Sequence, residues 1–338
     1  MKAYLFESLP ENRVRCNLCN HRCVIKESRR GICGVRQNQS GVLNTLVYDK
    51  VIARHVDPIE KKPLFHFLPG SLSYSIATVG CNFKCRFCQN ADIAQMPSDR
   101  AGMIVGDPVS PEQIVDAAAA QNCRSIAYTY TEPTAYFELA YETAKKARKR
   151  GIYNVFVTNG YMTREALEMI RPYLDAANVD LKAFHDDFYK RYCGAKLKHV
   201  KETLVQMKSS GVFVEVTTLL IPGLNDDAQE LEDLAAFLAT ALGADTPWHI
   251  SRFHPTYRLT DRPATPVKTL LAAREIGLNA GLKYVYTGNV PGETGEKTFC
   301  WSCGKVLIDR RGFSINGYAI ADGRCPACGA VIDGVFDG

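Results

Sequence analysis

The sequence predicts an α/β fold: an incomplete barrel of six βα units, with a small cysteine-rich segment before it and a tail of zinc-ribbon-like spacing after it. Three observations carry this. From residue 74 onward, strand-like and helix-like stretches alternate. The strand stretches are runs of Val, Ile and aromatic residues, as in a parallel sheet covered on both faces. Of 13 cysteines, all but Cys123 and Cys193 fall into three tight groups, two of which flank the alternating region.

Composition bounds the rest. Apolar residues make up 46% and charged residues 23% of 338, enough for a packed core. The net charge of +5 permits an anionic partner without demanding one. The start, "MKAYLFESLPENRVRC", has too short an apolar run before Glu7 for a signal peptide, and no stretch has the length of a membrane helix. The expectation is a soluble, cytoplasmic chain without a membrane partner. Its cysteines are then reduced, and their odd number in tight groups argues for metal sites over disulfides.

Residues 1–73 are polar and turn-rich, and "IEKKPLFHFLPGS" predicts a loop. Strand "SYSIATVG" then delivers a three-cysteine loop. Helix "SPEQIVDAAAAQNC" follows, with Ser110 as N-cap, Pro111 in the first helical position and Gln113 closing a capping box. Strand "RSIAYTY" leads to helix "PTAYFELAYETAKKARKR", ended by Gly151. Strand "NVFVTNG", helix "TREALEMI", strand "AANVDLKAF" and helix "KHVKETLVQMKSSG" continue the series. Strand "VFVEVTTLLIPG", helix "DDAQELEDLAAFLATALG", strand "PWHISRFHP", helix "TPVKTLLAAREIGLNAG" and strand "KYVYTGN" complete it. The domains expected are 1–73, 74–290 and 298–338. Sites in such folds lie at the C-terminal strand ends. The basic run "AKKARKR" ends a predicted helix, where cations favour the dipole; it reads as a solvated helix end, and a nucleic-acid partner is not expected.

The stretch "VGCNFKCRFCQN" places Cys81, Cys85 and Cys88 directly after the first strand of this series. Three thiolates suit a 4Fe–4S cube with one iron left open to a small molecule. Zinc with a distant histidine such as His66 is the blander alternative. The tail "CWSCGKVLIDRRGFSINGYAIADGRCPACG" pairs Cys300 and Cys303 with Cys325 and Cys328, close to zinc-ribbon spacing; a rubredoxin-like iron is the runner-up. The tail is too short for an adequate core, so a metal would supply folding energy. In "CNLCNHRCVIKESRRGIC", Cys16, Cys19, Cys23 and Cys33 suit zinc or an auxiliary iron–sulfur cluster, with His21 able to replace one of them. Cys123 and Cys193 read as small buried residues.

With Phe87 before its last cysteine, C-x3-C-x2-C resembles the signature of the radical S-adenosylmethionine (SAM) enzymes. The resemblance implies a radical SAM barrel whose open iron chelates SAM, and reductive cleavage to a 5′-deoxyadenosyl radical. The order of strand ends is similar to the pyruvate formate-lyase activating enzymes. By that resemblance Glu132, Asn159, Asp180, Lys182 and His254 fall in the SAM site, with Thr131 and Glu132 where the superfamily carries a short motif that meets the SAM ammonium, while Val157 stands where those enzymes have an aspartate. Longer phrases, among them "CNLCNHRC", "VDPIEKKPLFHFLPGS", "YTYTEPT", "IPGLND", "RFHP" and "KYVYTGNVPG", resemble the radical SAM member of the AmmeMemoRadiSam system; Asn20 departs from its proline. That likeness implies AMMECR1-like and Memo-like partners and a one-electron donor. A glycyl-radical activase acting on a protein glycine, and a zinc-rich RNA or protein adaptor, are the alternatives.

Overall fold

The computed structural model describes residues 1–290 and 294–336. Pro291 and Gly292 of the phrase "KYVYTGNVPG" and the last two residues of the tail lie outside them.

Eight strands form the main sheet: β1 (Ala53–Pro58), β2 (Leu72–Ala77), β3 (Ser125–Tyr128), β4 (Tyr153–Thr158), β5 (Ala176–Asp180), β6 (Phe213–Leu220), β7 (Trp248–Arg252) and β8 (Val285–Gly288). They hydrogen-bond in chain order, and β2 to β8 are mutually parallel. Between them run the helices α1 (Pro111–Ala120), α2 (Phe137–Lys149), α3 (Arg164–Ile170), α4 (Leu197–Ser209), α5 (Ala228–Phe237) and α6 (Val267–Asn279). Every parallel strand and connecting helix expected from the sequence is present, with ends shifted by a few residues. The largest shift is at α2, which begins at Phe137 because Glu132 to Tyr136 turn before the helix starts.

The antiparallel edge strand β1 was not foreseen. "ARHVDP" has too much charge and too little alternation to read as a strand, yet it pairs with β2 along its whole length. The register of the parallel strands sets Ile76, Tyr128 and Phe156 in one row, with Thr158 beside Val179 and Asp180 beside Thr217. With strand ends level, the loops that follow them emerge along one edge of the sheet.

Local chemistry matches the elements. Ser110 and Gln113 make the reciprocal capping box at α1, and the Thr163 and Asp227 side chains cap α3 and α5. Trp248 is fully buried and donates to Thr218 Oγ1 at 3.0 Å. A Cβ on Gly277 would stand 2.9 Å from its ring, so glycine is what lets α6 lie so close to the sheet.

The N-terminal segment shares the main core through Val14, Leu18, Val35, Leu43 and Val47. It is also pinned by a buried ion pair, Arg36 to Glu138, and Glu138 accepts the Tyr4 amide at 2.7 Å. The tail, a three-stranded antiparallel sheet (Thr298–Phe299, Val306–Arg311, Ser314–Tyr318), builds a second small core with Phe65, Tyr284 and Tyr286.

A buried polar chain locks that tail to the sheet. Arg310 donates to Thr298 Oγ1 at 2.6 Å, and Thr298 meets the Tyr286 hydroxyl at 2.9 Å. The Tyr286 hydroxyl meets His66 Nε2 at 2.5 Å, while His66 Nδ1 lies 2.6 Å from the Asp333 carbonyl. A carbonyl only accepts, so Nδ1 carries the proton and Nε2 accepts from Tyr286, which describes a neutral imidazole. Both nitrogens are engaged in this chain, so His66 is a structural residue and not a distant metal ligand.

Burial pulls His66 from 6.5 down to about 4. Between those values the unfolded chain binds a proton at His66 that the folded chain refuses, so acidification from pH 6.5 toward 4 destabilises the fold. The loss is bounded at about 3 kcal/mol. Protection of Val306–Arg311 amides in hydrogen exchange should therefore decline over this range, and His66→Gln should flatten the decline. An unchanged slope in the variant removes His66 as its cause.

Candidate functional site

The three-cysteine loop leaves the end of β2 and is held from several sides. Lys84 and Arg86 donate their amides to the carbonyls of Cys193 and Tyr192, at 2.8 and 2.9 Å. The Arg258 amide bonds the Arg86 carbonyl at 2.9 Å, and Gln95 Nε2 bonds the Phe83 carbonyl at 2.9 Å. Phe87 is buried against Phe188, with ring centroids 5.6 Å apart. The aromatic residue before the last cysteine is thus an anchor for the loop.

Within the loop, the Phe83 amide donates to Cys81 Sγ at 3.4 Å, and the Asn90 amide faces Cys88 in the same way. Burial pushes the Cys81 thiol well up and Cys88 up to about 11. Cys85 is raised first by a hydrogen bond with Cys193 and then by burial. Such thiols stay protonated at neutral pH until a metal ion displaces the proton. Cys193 is fully buried, as expected from the sequence, but its contact with Cys85 was not legible; 107 intervening residues carry no signal of it.

The neighbouring strand ends close around this loop. Glu132, almost fully buried, accepts from the Thr134 amide (3.0 Å), the Thr134 hydroxyl (2.6 Å) and the Thr158 hydroxyl (2.8 Å) on Oε1. Its Oε2 accepts from the Asn159 amide at 2.8 Å and keeps a lone pair. Asn159 Nδ2 reaches Asn82 Oδ1 at 2.7 Å and lies 3.9 Å from Cys81 Sγ. Thr131 donates to the Thr78 carbonyl at 2.8 Å, tying β3 to the start of the loop.

Lys182 and Asp180 form an ion pair at 2.8 Å. Burial pulls the Lys182 ammonium down, but Asp180, Cys85 and Cys193 outweigh it and hold it well above its ordinary value. Lys182 and Asp180 both act electrostatically on Cys85 and Cys88. His254 is placed differently: it is exposed beyond β7, on the wall of a groove. Val157 is a half-buried residue within β4.

That groove has a volume of about 1160 Å³ and runs from Gln89, beside Cys88, across Thr217, Ser251 and His254 to Arg310 and Phe313 of the tail. Among the described residues, buried Thr217 Oγ1 and Thr287 Oγ1 on its walls find no hydrogen-bond partner. A buried network backs it, in which Glu215 accepts from the Phe65 and His66 amides and pairs with His249 Nε2 at 2.6 Å. The sequence did not point to this groove or to Glu215, because their residues come from late strands and a distant tail.

In the tail, the sulfurs of Cys300, Cys303, Cys325 and Cys328 lie within 4.8 Å of one another. Cys300 and Cys328 are 3.6 Å apart, and Cys303 and Cys325 are 3.7 Å apart. A tetrahedral ion with metal–sulfur bonds of about 2.3 Å separates its sulfurs by about 3.8 Å, so these four fit a single closed ion site. Cys16, Cys19, Cys23 and Cys33 line one cavity together with His21. His21 Nε2 is engaged with the Asn82 carbonyl at 2.8 Å. In "AKKARKR", Arg148 pairs with Asp175 at 2.6 Å and Arg150 with Asp116 at 3.0 Å, as at a solvated helix end.

The chain matches the Radical SAM superfamily over residues 75–238. It is 47% identical over 334 residues to an uncharacterized protein of Methanocaldococcus jannaschii, covering 98% of each chain. It is 23% identical to a pyruvate formate-lyase-activating enzyme of Streptococcus mutans, over 51% of this chain and 67% of that one. Among solved structures, Streptococcus suis SuiB bound to precursor peptide SuiA shares the fold: TM-score 0.51, 13% identity, 68% of this chain and 51% of that chain.

Gly80 tests how the loop is held. Its φ is +97°, and a Cβ there would meet Val35 Cγ1 at 2.4 Å and the Cys33 carbonyl at 3.0 Å. Gly80→Ala combines left-handed strain with overlap against the N-terminal segment, so it should cost about 2–5 kcal/mol. A melting temperature lowered by several degrees is expected; an unchanged one means the two segments do not press on each other at Gly80.

Proposed function

The chain is a radical SAM enzyme, and from that premise we propose that Cys81, Cys85 and Cys88 hold a 4Fe–4S cluster whose open iron binds SAM beside the groove. When bound, the cluster and SAM supply reductive carbon–sulfur cleavage and a 5′-deoxyadenosyl radical for hydrogen abstraction. The observation that carries the reading is the rigidly tied three-thiol loop at the end of β2, flanked by Asp180 and Lys182 and opening at Gln89 onto the groove. The donor set fits: three thiols and no fourth loop ligand.

In this reading the parallel strands form the partial (β/α)6 barrel, residues 74–290, with residues 1–73 and 298–338 as appended units. Asp180, partly exposed, offers a carboxylate to the SAM ammonium, and Lys182 steers that carboxylate. Glu132 Oε2 and Asn159 hold the loop in register with the neighbouring strands, so their part in SAM binding is chiefly positional. Thr131 secures the same corner. His254, on the groove wall, meets the far end of SAM or the substrate. The tail cysteines hold zinc.

The groove that receives the substrate has both polar and apolar walls, carries charges of both signs and is bounded by the tail. We assign the chain to the AmmeMemoRadiSam system, working in the cytoplasm with AMMECR1-like and Memo-like proteins and a one-electron donor. Its likeness to the Streptococcus mutans activating enzyme favours a second reading, an activase acting on a protein glycine.

Anaerobic, reduced, iron-loaded protein should release 5′-deoxyadenosine and methionine from SAM. Cys88→Ala should release none, and Asp180→Ala should bind SAM about ten- to a hundredfold more weakly through loss of one charge-assisted hydrogen bond. If the loaded wild-type chain never cleaves SAM, the function is wrong. Deuterium transferred from a labelled partner protein, with a radical persisting on its glycine, would select the activase.

Cys325→Ala should lower bound zinc by about one equivalent, because the closed tetrahedral shell is lost. Loss of iron instead, at constant zinc, selects the rubredoxin-like site.

A further inference from the structure

Cys16, Cys19, Cys23 and Cys33 come from a strand end, a turn and two loop positions, and converge on one cavity whose other walls include Leu18, Ile25 and Ala135. Backbone amides face their sulfurs: Leu18 toward Cys16, His21 toward Cys19, Ile32 toward Cys23 and Val35 toward Cys33. The loop cysteines Cys81 and Cys88 have the same arrangement, with Phe83 and Asn90. An N–H aimed at sulfur favours the thiolate, the form that binds metal. Among the described residues, no amide is aimed this way at Cys123, whose sulfur lies 3.9 Å from the Gln121 carbonyl.

The spacing separates two kinds of centre. Among the described residues, only the tail cysteines bring three or more sulfurs within 4.8 Å of one another. The N-terminal four stand wider, as do Cys81, Cys85 and Cys88. A single zinc ion draws its sulfurs to about 3.8 Å apart, whereas a cluster spreads its thiolates over several irons.

Two further features suit a cluster. Asn82 is 2% exposed, lines the cavity and, among the described residues, has a side-chain NH2 without a partner, a donor that would suit an anionic cluster. Arg36, buried and paired with Glu138, also lines the cavity with Cys16 and Cys33, placing a cationic group beside what would be an anionic cluster.

We propose that this cavity holds an iron–sulfur cluster ligated by Cys16, Cys19, Cys23 and Cys33, not a zinc ion. It shares Asn82 as a wall with Cys81, and the Lys84 ammonium acts electrostatically on both Cys81 and Cys33. The chain then carries a second redox centre next to the first. The assignment rests on this cavity alone and does not require the SAM reading to be right.

The test uses the full chain with Cys81, Cys85 and Cys88 all changed to alanine, reconstituted anaerobically with iron and sulfide. Iron and acid-labile sulfide in equal amounts should remain, with an EPR signal on reduction by dithionite and zinc at one equivalent. Adding Cys19→Ala and Cys33→Ala to this variant should remove both. As a check on folding, Cys19→Ala with Cys33→Ala in the otherwise unchanged chain should keep the first cluster's signal. A triple-alanine variant that holds two zinc ions and no sulfide, or no metal beyond one zinc, overturns the proposal. Either result leaves SAM cleavage by the unmodified chain unaffected, so the two readings fail separately.

Discussion

The carboxylate of Glu132 is the constraint on which the site depends. It sits almost out of reach of water and accepts four hydrogen bonds from three different residues, on β3's exit turn and at the end of β4. A buried carboxylate left unpaired is very costly, so every donor has to be in place at once. Burial raises its proton affinity even so, with the Asn159 amide and Thr134 opposing. Through Asn159 the same network reaches Asn82, and through Asn82 both cysteine loops. Strand ends that would otherwise be merely level become one rigid rim.

That rim explains why three metal-type sites differ. The tail cysteines are brought together by the local geometry of two knuckles, and their sulfurs already stand at the spacing of one ion. The loop after β2 is held by distant peptide groups from 192–193 and 258, so its largely buried thiols sit on a fixed backbone. The N-terminal four rely on the Arg36–Glu138 ion pair and on contact with Gly80, which join their segment to the same core. Removing one partner of a buried ion pair typically costs about 3–5 kcal/mol, so the position of this segment is firmly specified.

Much of the architecture was legible. The parallel strands are buried on both faces and announce themselves as Val- and Ile-rich runs, and α1 is bounded by a capping box that four residues encode. The edge strand β1 was not, because an edge strand is recruited by its neighbour's free backbone groups and not by its own pattern. The strand-end residues differ in their surroundings: Glu132, Asn159 and Thr131 are largely consumed by internal hydrogen bonds, Asp180 and Lys182 pair beside Cys85, and His254 stands apart on the groove.

What the sequence determined by itself is what depends on near neighbours in the chain: the alternation of strands and helices, the caps, and the cysteine spacings that mark metal chemistry. What only the tertiary structure decided is what depends on residues far apart. Cys193 against Cys85, Asn82 between two cysteine groups, the His66–Tyr286–Thr298–Arg310 chain and the groove roofed by the tail all join segments separated by tens to hundreds of residues. Local propensity is blind to such pairs, because their energy exists only once the sheet has brought the segments together and excluded water from between them.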